Sequence, residues 1–170
     1  MELHRRCLVA AFIFWFALPI LAAAQKDESQ LPTAAELELK ACGPKEKEPN
    51  YYTETDKSQH PTGTPAADTV LIYIIRSTRL GMLVQTKLAV DGEWKGVNKA
   101  ANYFFFTLPP GEHYFCSSGK AGGRRTLVIT LEAGKTYYIS QNPRNDLGVL
   151  DDAEGQKELA GARLNTWKVK

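Results

Sequence analysis

The chain has 170 residues, with 21 lysines and arginines against 19 aspartates and glutamates and a formal net charge of +2. That near balance excludes the basic footprint of a nucleic-acid binder, and the length suits one domain with a leader and a polar extension.

In chain order, Arg5 and Arg6 precede an apolar run from Cys7 to Leu21, followed by Ala22-Ala23-Ala24 and Gln25. This is the pattern of an export signal, because signal peptidase needs small side chains just before its cut. The run contains Pro19 and is shorter than the roughly 20 apolar residues of a spanning helix. Residues 1–24 are therefore expected to leave after Ala24, giving a secreted or periplasmic chain with no stable membrane span; retention as a signal anchor is the alternative. No cysteine stands at or just after the cut, so lipid attachment is not expected.

Residues 25–68 read as a polar, extended N-terminal arm, with charges in "KEKEP" and turn formers in "HPTGTP". Two pieces of it carry local signals. "TAAELELKACG" places Thr33 three residues before Glu36 and ends on Gly43, which predicts a short capped helix. "NYYTETDKSQH" predicts an edge strand with Tyr51 or Tyr52 packed on the domain.

From Thr69 on, short β-type runs alternate with turn signals, which predicts an all-β domain over residues 69–170, an antiparallel β-sandwich of immunoglobulin-like or transthyretin-like kind. "TVLIYIIR" is apolar at both parities and reads as a central strand covered on both faces. "LVQTKLAVDGEWKGV" carries Asp91-Gly92, a two-residue hairpin turn between a strand ending near Val90 and one starting near Glu93. In "NYFFFTLPPGEHYFC" period 2 puts Tyr103 and Phe105 on one face and Phe104 and Phe106 on the other, and Pro109, Pro110 and Gly111 turn the chain. On the return strand His113 shares a face with Phe115, and Tyr114 with Cys116. "RTLVITL" alternates, Leu127, Ile129 and Leu131 inward, and "EAGKTYYIS" follows through a turn at Gly134. "DDAEGQKELAGARL" predicts one short C-terminal helix, capped by Asp151 and closed by Gly161. "RLNTWKVK" reads as a last strand or a tail along the sheet.

With Cys7 in the leader, Cys42 and Cys116 remain as an even pair in an exported chain, so a disulfide between them is expected. Closing a loop of that length is worth on the order of 4 kcal/mol. A metal site from Cys42, Cys116, His60 and His113 is the competing reading, and it lacks any short ligand spacing.

Carbohydrate or aromatic-ligand binding needs rings on a solvent face. Trp94, Tyr103, Tyr137, Tyr138 and Trp167 are the candidates, with Trp94, Tyr103, His113 and Tyr138 as the ligand-facing set; against this, the same rings serve as core and cross-strand pairs. As a general base His113 would need a nucleophile or acid partner, and none is identifiable. "GKAGGRR", Gly119 to Arg125, is a cationic hairpin tip that reads first as a solvated turn; the alternative is contact with an anionic surface, and it lacks the end of a nucleotide-binding loop. No catalytic set, metal site or cofactor is implied.

Taken together, the "VLIYIIR" strand, the "VDGEWKG" and "LPPGEHYF" hairpins, "LEAGKTYYI" and the "DDAEGQKEL" helix, in that order, resemble the bacterial family called domain of unknown function 2846, over roughly Thr69 to Leu164. The resemblance implies a small exported or lipid-anchored β-sandwich protein; the family has no established activity to transfer, and the lipoprotein cysteine is absent here. The expectation is a non-catalytic envelope module with a binding or structural role, its partner an unidentified envelope component. A glycan-binding module and a hydrolase built on His113 are the alternatives.

Overall fold

The computed structural model describes residues 32–58 and 63–170. The export signal read in residues 1–24, the first residues of the arm and His60 lie outside the described residues.

Helix α1, Ala34–Cys42, opens on the expected capping box: the Thr33 hydroxyl accepts from the Glu36 amide at 3.3 Å, and the Glu36 carboxylate accepts from the Thr33 amide at 2.8 Å. A single 3-10 turn at Lys45–Lys47 leads to β1, Tyr51–Thr55. The remaining elements are β2 (Val70–Arg76), β3 (Thr86–Val90), β4 (Glu93–Asn98), β5 (Asn102–Leu108), β6 (Gly111–Gly119), β7 (Gly123–Leu131), β8 (Thr136–Gln141), β9 (Leu147–Leu150), α2 (Asp152–Ala160) and β10 (Arg163–Val169).

The strands form a six-stranded sheet in the order β1-β10-β5-β2-β8-β9 and a four-stranded sheet in the order β4-β3-β6-β7. Among the described residues the architecture is mostly β, with two sheets and two short α-helices. It is not wholly antiparallel as expected, because β2 pairs in parallel with β8 and β5 in parallel with β10. The reason is connectivity: β3, β4, β6 and β7 make up the other sheet, so β8 returns to the larger sheet through a crossover, and α2 carries the chain over before β10.

Three apolar layers follow from strand parity. Val70, Ile72 and Ile74 of β2, with Phe104 and Ile139, face Leu88, Val90, Phe115 and Leu131 of the smaller sheet and make the central core. Each such side chain contributes about 2 kcal/mol by leaving water. The opposite parity of β2, Leu71, Tyr73 and Ile75, packs with Tyr103, Tyr138 and Leu159 under α2. This is why "VLIYIIR" is apolar throughout: β2 is buried on both faces, as expected. The third layer lies outside the smaller sheet, where Ala41 and Cys42 of α1 meet Ala89 and Cys116.

Turn chemistry holds as read in most places. Asp91 and Gly92 have φ of 52° and 82°, the two positive values that a tight hairpin turn requires. Gly111 has φ of 136° but opens β6, and the hairpin expected of the aromatic stretch does not form: β5 lies in the larger sheet and β6 in the smaller, so Pro109 and Pro110 carry the chain across from one sheet to the other. Within the segment read as an arm, α1 packs on the smaller sheet and β1 pairs with β10 as an edge strand, with Tyr51 buried and Tyr52 exposed.

Candidate functional site

The inward-facing rows that build the central core do not stay apolar to their ends. On β2 the row Val70, Ile72, Ile74 finishes in Arg76; on β6, Phe115 is followed by Ser117; on β8, Ile139 by Gln141; and on β3, Thr86 precedes Leu88. Arg76, Thr86, Ser117, Gln141 and the neighbouring Asn98 are all buried, so one end of the sandwich is plugged by polar side chains. They bond to one another and to the backbone, although Arg76 Nε and Asn98 Oδ1 are buried without a partner. Gln141 donates to the Lys87 carbonyl at 3.1 Å and to the Ser117 hydroxyl at 2.8 Å, and Asn98 donates to the Ile74 carbonyl at 3.1 Å.

Arg76 is the unusual member, a fully buried guanidinium whose partners are carbonyls and a hydroxyl and include no carboxylate. Its Nη1 donates to the Val84 carbonyl at 2.7 Å, and its Nη2 to those of Leu80 and Gly81 at 3.0 and 2.9 Å. Burial pulls its pKa below the ordinary arginine value. The side chain thus holds the 77–85 loop from inside, and that loop presents Leu80, Met82 and Leu83 to solvent. Leu83 and Val84 lie before β3, where the Arg76 contacts curl the chain into the loop.

Beside the loop runs a groove of about 590 Å³, with Leu83, Glu48, Lys87, Lys120 and Arg124 among its walls. Glu48 is its organising acid. It accepts from Lys87 Nζ at 3.0 Å, Ser118 Oγ at 2.9 Å and Arg124 Nη2 at 3.2 Å. Burial alone would push its carboxyl up, but the hydrogen bonds from Lys87 and Ser118, the Lys87 charge and the Arg124 bond outweigh it and hold the pKa below its ordinary value. Arg124 also donates to the Gly43 carbonyl at 3.1 Å, tying the end of α1 to β7.

The "GKAGGRR" tip joins the same end. It is clasped, since buried Asn145 donates to the Gly119 and Gly123 carbonyls at 3.3 and 2.6 Å. Among the described residues Lys120 faces no carboxylate, whereas Arg125 faces Asp146 at 3.5 Å and Arg124 faces Glu48.

The residues singled out from the sequence lie elsewhere, and they are not brought together. Tyr103 and Tyr138 are buried in the layer under α2, where Tyr138 stacks on Tyr73 with ring centroids 5.4 Å apart. Tyr137 and Trp167 pack against the central core, the latter edge-on to Phe104 at 4.9 Å. Trp94 is half-buried against the Cys42 and Cys116 layer. His113 is buried at the opposite end of the sandwich. Its Nδ1 lies 2.6 Å from Asp91 Oδ2 and its Nε2 2.9 Å from the Pro109 carbonyl, so both ring nitrogens already face acceptors. The ligand-facing set of Trp94, Tyr103, His113 and Tyr138 therefore does not share a solvent face.

Cys42 and Cys116 are bonded to each other, with their sulfurs 2.03 Å apart, and both are buried. Sulfurs spent on one another cannot ligate the metal considered for this pair with His60 and His113. Among the described residues no helix is long and apolar enough to cross a membrane. Comparison with protein-family models and with curated proteins returned no match to this chain.

Proposed function

We propose that the chain is a non-catalytic, exported β-sandwich module of a bacterial cell envelope that acts by binding. The observation that carries the reading is the polar end of the sandwich, where a buried arginine is committed to holding a loop that shows three large apolar side chains to water. Such a surface is costly for an isolated soluble domain and is the ordinary mark of an interaction site. Export is supported by the buried Cys42–Cys116 pair, since disulfides persist where thiols are oxidised, and by the leader pattern before Gln25. The order of sequence motifs resembling domain of unknown function 2846 supports the same placement. We read the two face-packed sheets as immunoglobulin-like or transthyretin-like in kind, with the parallel β8 and β10 as departures. A glycan-binding or hydrolytic role draws no support from the aromatic rings or from His113, whose faces and nitrogens are taken up by packing and hydrogen bonds.

Two measurements test the reading. In denaturant without reductant, Cys42 and Cys116 take no alkylating label in protein recovered from the exported fraction, and both take it once reductant is added; immediate labelling refutes export to an oxidising compartment. Replacing both by alanine lowers unfolding free energy by about 4 kcal/mol. Second, no turnover is expected on esters, peptides or glycosides; turnover that a single substitution abolishes makes the protein an enzyme.

A further inference from the structure

The 77–85 loop joins β2 to β3 in an arrangement that water disfavours. Leu80, Met82 and Leu83 are exposed by 75%, 69% and 98%. A slack loop would fold these side chains back, but this one is pinned by the three Arg76 bonds and by a turn in which the Val84 amide donates to the Gly81 carbonyl at 2.9 Å. Its neighbours are fixed too. A Cβ at Gly81 would stand 3.3 Å from Pro143, and one at Gly122 only 2.0 Å from the Arg144 carbonyl oxygen, so the 77–85 loop, the hairpin tip and the 142–146 loop abut one another.

Each of these three loops carries an exposed cation: Arg79, Lys120 and Arg144. None has an ion-pair partner among the described residues, while the nearby acids Glu48 and Asp146 already face Arg124 and Arg125. A projecting apolar tip ringed by unpaired cations is the pattern of an interfacial contact with lipid, in which the apolar groups enter the headgroup boundary and the cations meet anionic headgroups. A second copy fits worse, because a two-fold contact through this face would bring like charges together. We infer that this end of the sandwich docks on the surface of an anionic lipid bilayer, with Leu80, Met82 and Leu83 inserted and Arg79, Lys120 and Arg144 against the headgroups. The inference rests on the binding reading above and adds the partner's chemistry.

Because residues 7–21 are themselves apolar, the readout must be local to the loop. Leu83→Trp in the full chain places a reporter at a side chain so exposed that folding should not change; circular dichroism and an intact disulfide check this. The probe is vesicles of phosphatidylcholine alone or with about a third phosphatidylglycerol. Emission from position 83, taken as the difference from the unsubstituted protein, is expected to shift blue and to be quenched by brominated acyl chains with the anionic vesicles only. Val128→Trp, exposed on β7, is expected to stay unshifted. Adding Arg79→Glu and Lys120→Glu to the reporter lowers vesicle affinity about tenfold or more, and removing the apolar contacts with Leu80→Ser and Met82→Ser does so by a similar factor.

No shift with either vesicle overturns the proposal, as does an equal shift at position 128. A shift that grows with protein concentration alone assigns the face to a second copy, and one produced by polyglutamate but not by vesicles assigns it to an acidic protein; both overturn it. None of these outcomes alters the cysteine-labelling or turnover results, so the broader reading fails or stands separately.

Discussion

The two ends of the sandwich solve the same problem in opposite ways. At each, an inward-facing row of apolar side chains must stop, and at each it stops in a basic residue: Arg76 on β2 at one end, His113 on β6 at the other. His113 reaches a side-chain carboxylate, Asp91, and one backbone carbonyl, and these lie in the turns immediately beside it. Those turns are short and closed. Arg76 reaches three carbonyls of a longer loop and, among the described residues, no carboxylate, so its effect is to hold backbone in place while the loop's apolar side chains stay outside. A polar plug that satisfies itself is structural; one that fixes an apolar display points to a surface used by something else.

Substitutions at the plugs sharpen this contrast. Arg76→Met keeps the apolar stem but leaves the Leu80, Gly81 and Val84 carbonyls without their donor, and a destabilisation of about 3 kcal/mol is expected in urea unfolding. Hydrogen exchange should rise first at Val84, whose amide closes the turn onto Gly81, while amides around Asp91 and Tyr114 keep their protection. His113→Ala removes two hydrogen bonds and should cost about 2 kcal/mol. There the loss of protection should fall on Tyr114, whose amide donates to Asp91 Oδ1 at 2.9 Å, and leave the 77–85 loop unchanged. If either substitution loosens both ends equally, the plugs are not independent and the contrast collapses.

Much of the fold was legible because it rests on local rules. Period 2 placed Leu127, Ile129 and Leu131 inward, Asp91-Gly92 set the β3–β4 pairs next to the turn, up to the register shift between Leu88 and Ala89, and Thr33 with Glu36 marked α1. Parity also put Cys116 on the face opposite Phe115, which is where α1 delivers Cys42. What escaped depends on pairing between distant segments. Nothing in "RLNTWKVK" states that its strand runs parallel to β5, since that follows from where α2 sets the chain down. The polar end escaped for a related reason. No local pattern in "IIRSTRLGMLVQ" marks it, and only the buried position of Arg76 shows that Leu80, Met82 and Leu83 are held outside. The loudest stretch, "NYFFFTLPPGEHYFC", stands out by composition, yet its rings are shared among the packed layers, Tyr114 against the Cys42 and Cys116 layer, although Phe105 keeps part of its ring exposed.

The smallest expected effect tests whether the groove beside the Arg76 end is a fixed wall. Glu48 is held below its ordinary value of 4.5 in the folded protein, so the folded state binds its proton less tightly than the unfolded chain does. The stabilisation it supplies is therefore complete above the ordinary carboxylate range and is lost as pH falls through the lower folded-state value. At neutral pH Glu48→Gln should cost about 1 kcal/mol, since the site is partly open to solvent and screened. The difference in melting temperature between the two proteins should hold steady from pH 7 to about 5 and close on further acidification. Lys87 and Arg124 lose their shared partner in the variant, so salt should affect the parent more than Glu48→Gln. A gap that stays constant down to pH 3 would mean that Glu48 contributes by shape and hydrogen bonding alone, and that the charges lining the groove are free to move when something docks beside them.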